Sequence, residues 1–90
     1  ALVRLTQTLA LEWAPYGVTV NGIAPGYFPD PETLPPEQVA GSRENAERMV
    51  PLGRVGELRE VGLLALYLAS DASAYMTGET IHLDGGVSHA

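Results

Sequence analysis

Two short, β-branched apolar runs, each ended by proline or glycine, constrain the fold of this chain more than any other feature. The first run is Val18–Ala24, which Pro25–Gly26 ends, and the second is Thr80–Leu83, which Asp84–Gly86 ends. Short apolar runs of this kind are typical of strands in a parallel sheet that are buried on both faces. Helical segments separate the two runs, and this alternation predicts an α/β fold. Because two strands do not make a stable sheet alone, we expect them to belong to a larger one.

Three segments have helical periodicity. The first opens the chain with a stripe of large apolar residues, which are Leu2, Leu5, Leu9 and Trp13. We expect Leu2, Leu5 and Leu9 to face the sheet and Trp13 to lie in the core or a subunit interface. Pro15 and Gly17 are expected to end the helix. No capping residue precedes the pattern, so we expect the helix to begin upstream of this chain. Pro36, at a first helical position, predicts a polar helix to about Met49, and a third helix is predicted over Leu58–Ser70.

Composition and charge exclude several classes of function. A net charge of −6 argues against binding to nucleic acid or to anionic membranes. No apolar run approaches the roughly 20 residues that cross a bilayer. The chain has no cysteine, which is typical of a reducing compartment, so we expect a cytoplasmic protein. All five cationic side chains are arginines, so this chain performs no chemistry that needs a lysine ammonium.

Four sets of segments together resemble the C-terminal third of the short-chain dehydrogenase/reductase family. They are Leu9–Glu12 before Gly17–Asn21, then Ala24–Phe28, then Pro51–Arg54, and then Leu68–Asp71 running through Thr77–Gly78 to Asp84–Gly86. Each motif is weak alone, but they occur in the family's order and spacing, and the resemblance covers essentially the whole chain. Within the family the chain resembles gluconate 5-dehydrogenases and, almost as closely, 3-oxoacyl-carrier-protein reductases.

The resemblance implies that residues 1–90 are the C-terminal part of one Rossmann-like, doubly wound parallel sheet, with no separate second domain. It also implies an oxidoreductase that transfers a hydride between NAD or NADP and a small alcohol or carbonyl substrate. The family uses a serine, a tyrosine and a lysine that lowers the pKa of the tyrosine. Ala1 and Leu2 match residues that follow this lysine in the family. We therefore expect all three catalytic residues upstream of Ala1, and no activity from these 90 residues alone.

The resemblance assigns cofactor contacts to Pro25, Gly26, Tyr27 and Phe28. These residues follow the first predicted strand, and ligands bind at the carboxyl ends of strands in open α/β sheets. In the family, extended backbone here pairs with the nicotinamide carboxamide, and Gly26 would allow close approach. A plain strand-terminating turn is the alternative. The family usually has threonine at the position of Asp30; a carboxylate there would repel the cofactor pyrophosphate, so we expect Asp30 to point away or to pair with a cation.

The remaining polar and aromatic residues have structural interpretations. No metal site is expected, since His82 and His89 have no third ligand beside them. Packing roles are predicted for Tyr67 and Tyr75, and ion-pair or turn roles for Arg54 and Asp84.

The polar segment Pro31–Met49 is either a solvated face or a substrate lid, and the resemblance favours the lid. The resemblance also implies a homotetramer that binds a small-molecule substrate. A different class of function is the alternative, in which the chain is a non-catalytic truncated module that acts only in subunit association.

Overall fold

The computed structural model describes residues 1–89, in which a two-stranded sheet is combined with three α-helices. In chain order these elements are α1 (Leu2–Trp13), β1 (Gly22–Pro25), α2 (Pro36–Met49), α3 (Leu58–Ala69) and β2 (Thr80–Leu83). β1 pairs with β2. Gly22 N–H donates to Glu79 C=O at 2.8 Å, and Gly26 N–H donates to Leu83 C=O at 3.0 Å. The two strands therefore advance together in the same direction, which confirms the predicted α/β fold with a parallel sheet.

The chain divides into two compact units, and each unit includes part of both strands. The first unit is made of Ala1–Ala24 and Leu63–Ile81, and the second of Pro25–Gly62 and His82–Ala90.

In the first unit, α1 ends at Trp13, just before Pro15, where the sequence predicted its end. Pro15 lies in a single 3-10 turn, Ala14–Tyr16, which extends the helical path by one turn beyond α1. Gly17 follows with φ at +74°, in the left-handed region that favours glycine. Gly17 therefore ends the helical path.

The apolar stripe of α1 is not the face that the first unit buries. Leu2 is 78% exposed and Leu5 is 51% exposed, whereas Ala10 is buried. A Cβ placed on Gly78 would lie 3.5 Å from the Cβ of Ala10, so α1 approaches the turn before β2 closely at that point. Close approach selects a small residue at position 10, and the packing of the leucine stripe against the sheet stays a prediction.

β1 is shorter than the predicted run Val18–Ala24. The residues before Gly22 are anchored mainly by hydrogen bonds that involve side chains. Val20 N–H donates to Thr77 Oγ1 at 3.0 Å, where a strand would use a backbone carbonyl. The Asn21 amide group bonds to the backbone of the turn before β2 twice, donating at 3.1 Å and accepting at 3.2 Å. The Val20 C=O still accepts from Gly78 N–H at 2.8 Å, and regular strand pairing begins at Gly22.

The second unit contains α2, whose bounds match the prediction. Pro36 is its first residue, where the missing N–H costs no helical hydrogen bond. Most of α2 is exposed, but Ala46 and the following Val50 are buried. α3 also agrees with the prediction to within one residue. Within residues 1–89, no helix has the length and apolar character needed to cross a membrane.

Candidate cofactor site

The segment after β1 is tied to its surroundings by two backbone hydrogen bonds. Gly26 N–H donates to Leu83 C=O at 3.0 Å, at the carboxyl ends of both strands. Tyr27 C=O accepts from Gly56 N–H at 2.8 Å. Pro25 has no N–H to offer. Together the two bonds fix the course of the chain up to Tyr27.

Phe28 differs from Gly26 and Tyr27 because both its backbone N–H and its backbone C=O are free in the described chain. Among residues 1–89, neither its N–H nor its C=O takes part in any hydrogen bond. A backbone N–H beside a backbone C=O matches a carboxamide, which offers an acceptor oxygen and NH₂ donors. The donor set at Phe28 therefore fits the nicotinamide carboxamide that the sequence motif implies.

Gly26 has a structural requirement of its own. A Cβ built on it would lie 2.9 Å from both the Cα and the Cβ of Asp84, which immediately follows β2. Real Cβ atoms essentially never approach that closely. The glycine thus lets the two strand ends come together, whereas its predicted role in admitting the cofactor stays a prediction.

The aromatic ring of Phe28 lies directly over Gly56. A Cβ on Gly56 would collide with three ring atoms, of which the farthest, Cδ1, would be 2.8 Å away. A cavity of about 80 Å³ adjoins this contact, and Tyr27, Leu83 and Asp84 also line it. One side of the segment is therefore packed, and the strand-terminating turn has a defined shape.

Arg54, for which the sequence predicted an ion-pair or turn role, forms an ion pair with Glu60 beside the same cavity. Arg54 Nη1 lies 2.9 Å from Glu60 Oε1, and Nη2 lies 3.2 Å from Oε2. The hydrogen bond from Arg54, followed by the one from the Glu57 N–H, lowers the pKa of Glu60 to about 2. The same hydrogen bond and the charge of Glu60 raise the pKa of Arg54 above its usual value. Both groups are therefore charged near neutral pH.

Asp84 ends β2 by capping the turn that follows, which confirms its predicted role. Its Oδ1 accepts from Gly86 N–H at 2.9 Å, and its Oδ2 accepts from Ser88 N–H at 3.1 Å. Partial burial raises the pKa of Asp84, but the bonds from Gly86 and Ser88 outweigh that effect and place it below the usual value. Gly85 and Gly86, with φ at +64° and +99°, make the turn that brings these N–H groups to the carboxylate.

Asp30 likewise accepts a hydrogen bond from its own loop. Its Oδ1 accepts from Glu32 N–H at 2.9 Å, and its C=O accepts from Leu34 N–H at 2.9 Å. Among residues 1–89 the only ion pair is Arg54–Glu60, so no cation of the described chain pairs with Asp30. The carboxylate stabilises the turn, and its orientation away from the pyrophosphate stays a prediction.

The structure also bears on the roles predicted for several other residues. Tyr75 is fully exposed and Tyr67 is 42% exposed, so the packing role predicted for them is wrong within the described chain. Residues 1–89 hold no cluster of three or more His, Cys, Asp or Glu side chains arranged for a metal ion.

Sequence reasoning missed Gly56, which has no local signal. It also missed Asn21, although a polar residue in an apolar run was a signal available there.

Comparisons with known proteins identify the family of this chain. The family model described as enoyl-(acyl carrier protein) reductase matches residues 1–88. Galactitol 2-dehydrogenase (L-tagatose-forming) from Cereibacter sphaeroides is 44% identical over 86 residues, which are 96% of this chain and 34% of that protein.

Two crystal structures share the fold along the full length of this chain. A short-chain type dehydrogenase/reductase from Mycobacterium marinum matches with a TM-score of 0.85 and 43% identity, covering 100% of this chain and 34% of that one. A gluconate 5-dehydrogenase from Burkholderia cenocepacia J2315, in complex with NADP and tartrate, matches with a TM-score of 0.85 and 36% identity, covering 100% of this chain and 35% of that one. This chain therefore spans about a third of the length of these relatives.

Proposed function

Because the chain belongs to the short-chain dehydrogenase/reductase family, we propose that it is the C-terminal part of an NAD(P)-dependent oxidoreductase and holds the nicotinamide end of the cofactor. In this proposal residues 1–90 complete one Rossmann-like domain. The bound cofactor would supply a hydride to a carbonyl compound or accept one from an alcohol. The observation that carries the proposal is the free N–H and C=O pair of Phe28, beside the two groups of Gly26 and Tyr27 that are already hydrogen-bonded.

Each residue of the site has a separate role. Pro25 restricts the backbone where β1 ends, and Gly26 brings the segment against the end of β2. Tyr27 is held through its carbonyl, which leaves Phe28 to offer a donor and an acceptor to the carboxamide. Two backbone hydrogen bonds to one planar group orient the nicotinamide ring as well as bind it.

Proton transfer has to come from elsewhere in the enzyme. A tyrosine that acts as acid and base near neutral pH needs a neighbouring cation to lower its pKa, and these 90 residues contain no lysine. We place the serine, tyrosine and lysine of the family mechanism upstream of Ala1. The 90-residue chain on its own is accordingly expected to turn over no alcohol with either NAD or NADP, and turnover by the purified chain would contradict this assignment.

The nicotinamide contact is tested by comparing Phe28→Pro with Phe28→Ala in the full-length enzyme. Both variants lose the ring, but only proline also removes the N–H. Calorimetric titration with NADH and NADPH should show weaker binding by Phe28→Pro than by Phe28→Ala, by roughly tenfold for one lost hydrogen bond. Equal affinities would remove the backbone contact from the proposal.

Substrate and assembly follow as further parts of the proposal. By their names, two of the relatives act on a polyol and a sugar acid, so such compounds are the first alcohols to screen with both cofactors. We also propose a cytoplasmic location, because the chain has no cysteine. We propose a homotetramer because large apolar side chains are left exposed on two helices: Leu2 at 78%, Leu11 at 77% and Leu66 at 67%. Closed twofold symmetry would cover such surfaces.

Light scattering on the full-length enzyme tests the assembly. Leu66→Asp should dissociate it, since a charge without a partner is costly in an apolar interface. Gln38→Asp, on the exposed surface of α2, is the control. A wild-type monomer at micromolar concentration would rule the tetramer out.

A further inference from the structure

We propose that Gly56 is a positioning residue for the nicotinamide end of the cofactor, which it orients by seating the ring of Phe28 and holding the carbonyl of Tyr27. This inference rests on the proposed function, because the groups being positioned are the N–H and C=O of Phe28.

Two independent contacts meet at Gly56. Its N–H donates to Tyr27 C=O at 2.8 Å, which fixes the peptide group that leads into Phe28. Its missing side chain leaves the space that the Phe28 ring occupies, since a Cβ there would collide with the ring. One contact fixes the backbone before Phe28, and the other fixes its side chain.

Position 56 requires glycine because of steric contact with the Phe28 ring, and not because of its backbone conformation. The φ of Gly56 lies outside the left-handed region, unlike that of Gly53 at +74°. Alanine therefore suits the local backbone at position 56. What alanine would change is the position of the Phe28 ring.

The loop around Gly56 is braced on both sides, which favours displacement of the ring over movement of the loop. Arg54 Nη1 donates to the C=O of Val55, the residue before Gly56, at 2.9 Å. The N–H of Glu57, the residue after it, donates to Glu60 Oε1 at 2.9 Å. Arg54 and Glu60 bind each other, which closes the brace. A side chain at position 56 would thus displace Phe28 and, with it, the two groups offered to the carboxamide.

The experiment is Gly56→Ala in the full-length enzyme, titrated calorimetrically with NAD(P)H and separately with ADP-ribose or its 2′-phosphate, which lack the nicotinamide. We expect NAD(P)H to bind on the order of tenfold more weakly, as for the loss of one or two hydrogen bonds, and the ADP-ribose compound to bind as tightly as before. Gly62→Ala is the matched control, because nothing lies within 4 Å of a Cβ there. It should bind both ligands like the wild type.

A double-mutant cycle separates positioning from general damage. In the Phe28→Ala background there is no ring to displace, so adding Gly56→Ala should change NAD(P)H affinity no further. If Gly56→Ala does not fold, Phe28→Ala alone provides the test, and it should weaken NAD(P)H binding without affecting the ADP-ribose compound.

Each outcome decides something different. Wild-type affinity of Gly56→Ala for NAD(P)H, an equal loss for both ligands, or an undiminished effect without the ring would overturn the positioning role while the proposed function stands. Failure of the wild-type enzyme to bind either NADH or NADPH would instead overturn the proposed function.

Discussion

Glu60 binds Arg54 through both of its carboxylate oxygens, at 2.9 and 3.2 Å, and one of those oxygens also accepts the N–H of Glu57. A surface ion pair of this kind usually contributes little stability. Here it also joins the residues on both sides of Gly56, because Arg54 bonds to Val55 C=O and Glu60 to Glu57 N–H.

The stabilising effect of Glu60 should depend on pH. Its pKa in the folded chain is about 2, against an ordinary value of 4.5, so its contribution is complete above about pH 4.5 and is lost as the pH falls towards 2. Glu60→Gln should therefore have a lower melting temperature than the wild type near neutral pH, and the two should converge as the pH falls. Thermal unfolding measured between pH 2 and 7 checks this. Glu57→Gln, whose side chain makes no hydrogen bond in the described chain, is the control. A gap that stays constant with pH would contradict the prediction.

Gly26→Ala should destabilise the enzyme by about 1–3 kcal/mol, the usual cost of forcing extra atoms into a packed site. The added Cβ would be 2.9 Å from the backbone of Asp84, which cannot give way like the end of a flexible side chain. Chemical denaturation of the full-length protein measures the change. Gly41→Ala, in α2 with no atom within 4 Å of its Cβ, should instead be neutral or stabilising by up to about 1 kcal/mol. Equal effects of the two substitutions would show that strand-end packing does not select glycine.

Asp30→Thr should leave stability nearly unchanged and tighten cofactor binding. A threonine hydroxyl can still accept the Glu32 N–H, although more weakly, while the charge that would repel a pyrophosphate is removed. Asp30→Ala loses the acceptor and should cost about 1 kcal/mol. Cofactor titration and thermal unfolding of the three proteins provide the comparison. Weaker binding by the threonine variant would mean that the carboxylate makes a useful contact of its own.

The segment Pro31–Met49 is expected to become ordered when ligands bind. It follows the proposed cofactor contact directly, and most of α2 is exposed, which is typical of regions that open locally. Hydrogen exchange of the full-length enzyme, with and without cofactor and substrate, should show slower exchange in this segment, with α1 as the internal reference. Equal exchange in both states would leave α2 as a solvated face.

Local signals in the sequence predicted the elements well, and long-range contacts were the part they could not provide. Pro36 determines the start of α2 through its own geometry, so that boundary was accessible. The start of β1 depends on a hydrogen bond from Val20 to Thr77, a residue far along the chain, and was placed wrongly. Gly56 was missed for the same reason, because only the fold brings Phe28 over it.

The segment Pro25–Phe28 was identified from a family motif, but the physical division of labour within it was not. Nothing local distinguishes the carbonyl of Tyr27, which is used internally, from that of Phe28, which is free. The leucine stripe of α1 shows a different limit of sequence-based prediction. Periodicity identified an apolar face correctly but could not tell which partner covers it.

The two hydrogen bonds of the Asn21 amide also bear on how the protein ages. Asparagine followed by glycine is the pair most prone to spontaneous deamidation, in which the glycine nitrogen attacks the side-chain carbonyl. In this fold the attacking nitrogen of Gly22 is bonded to Glu79 C=O at 2.8 Å, and the Asn21 amide is held at both ends. Folding thus shields a chemical weak point, and loss of ammonia at Asn21 should accumulate only in molecules that have opened this part of the sheet. Damage at that one residue would record the time a molecule has spent unfolded.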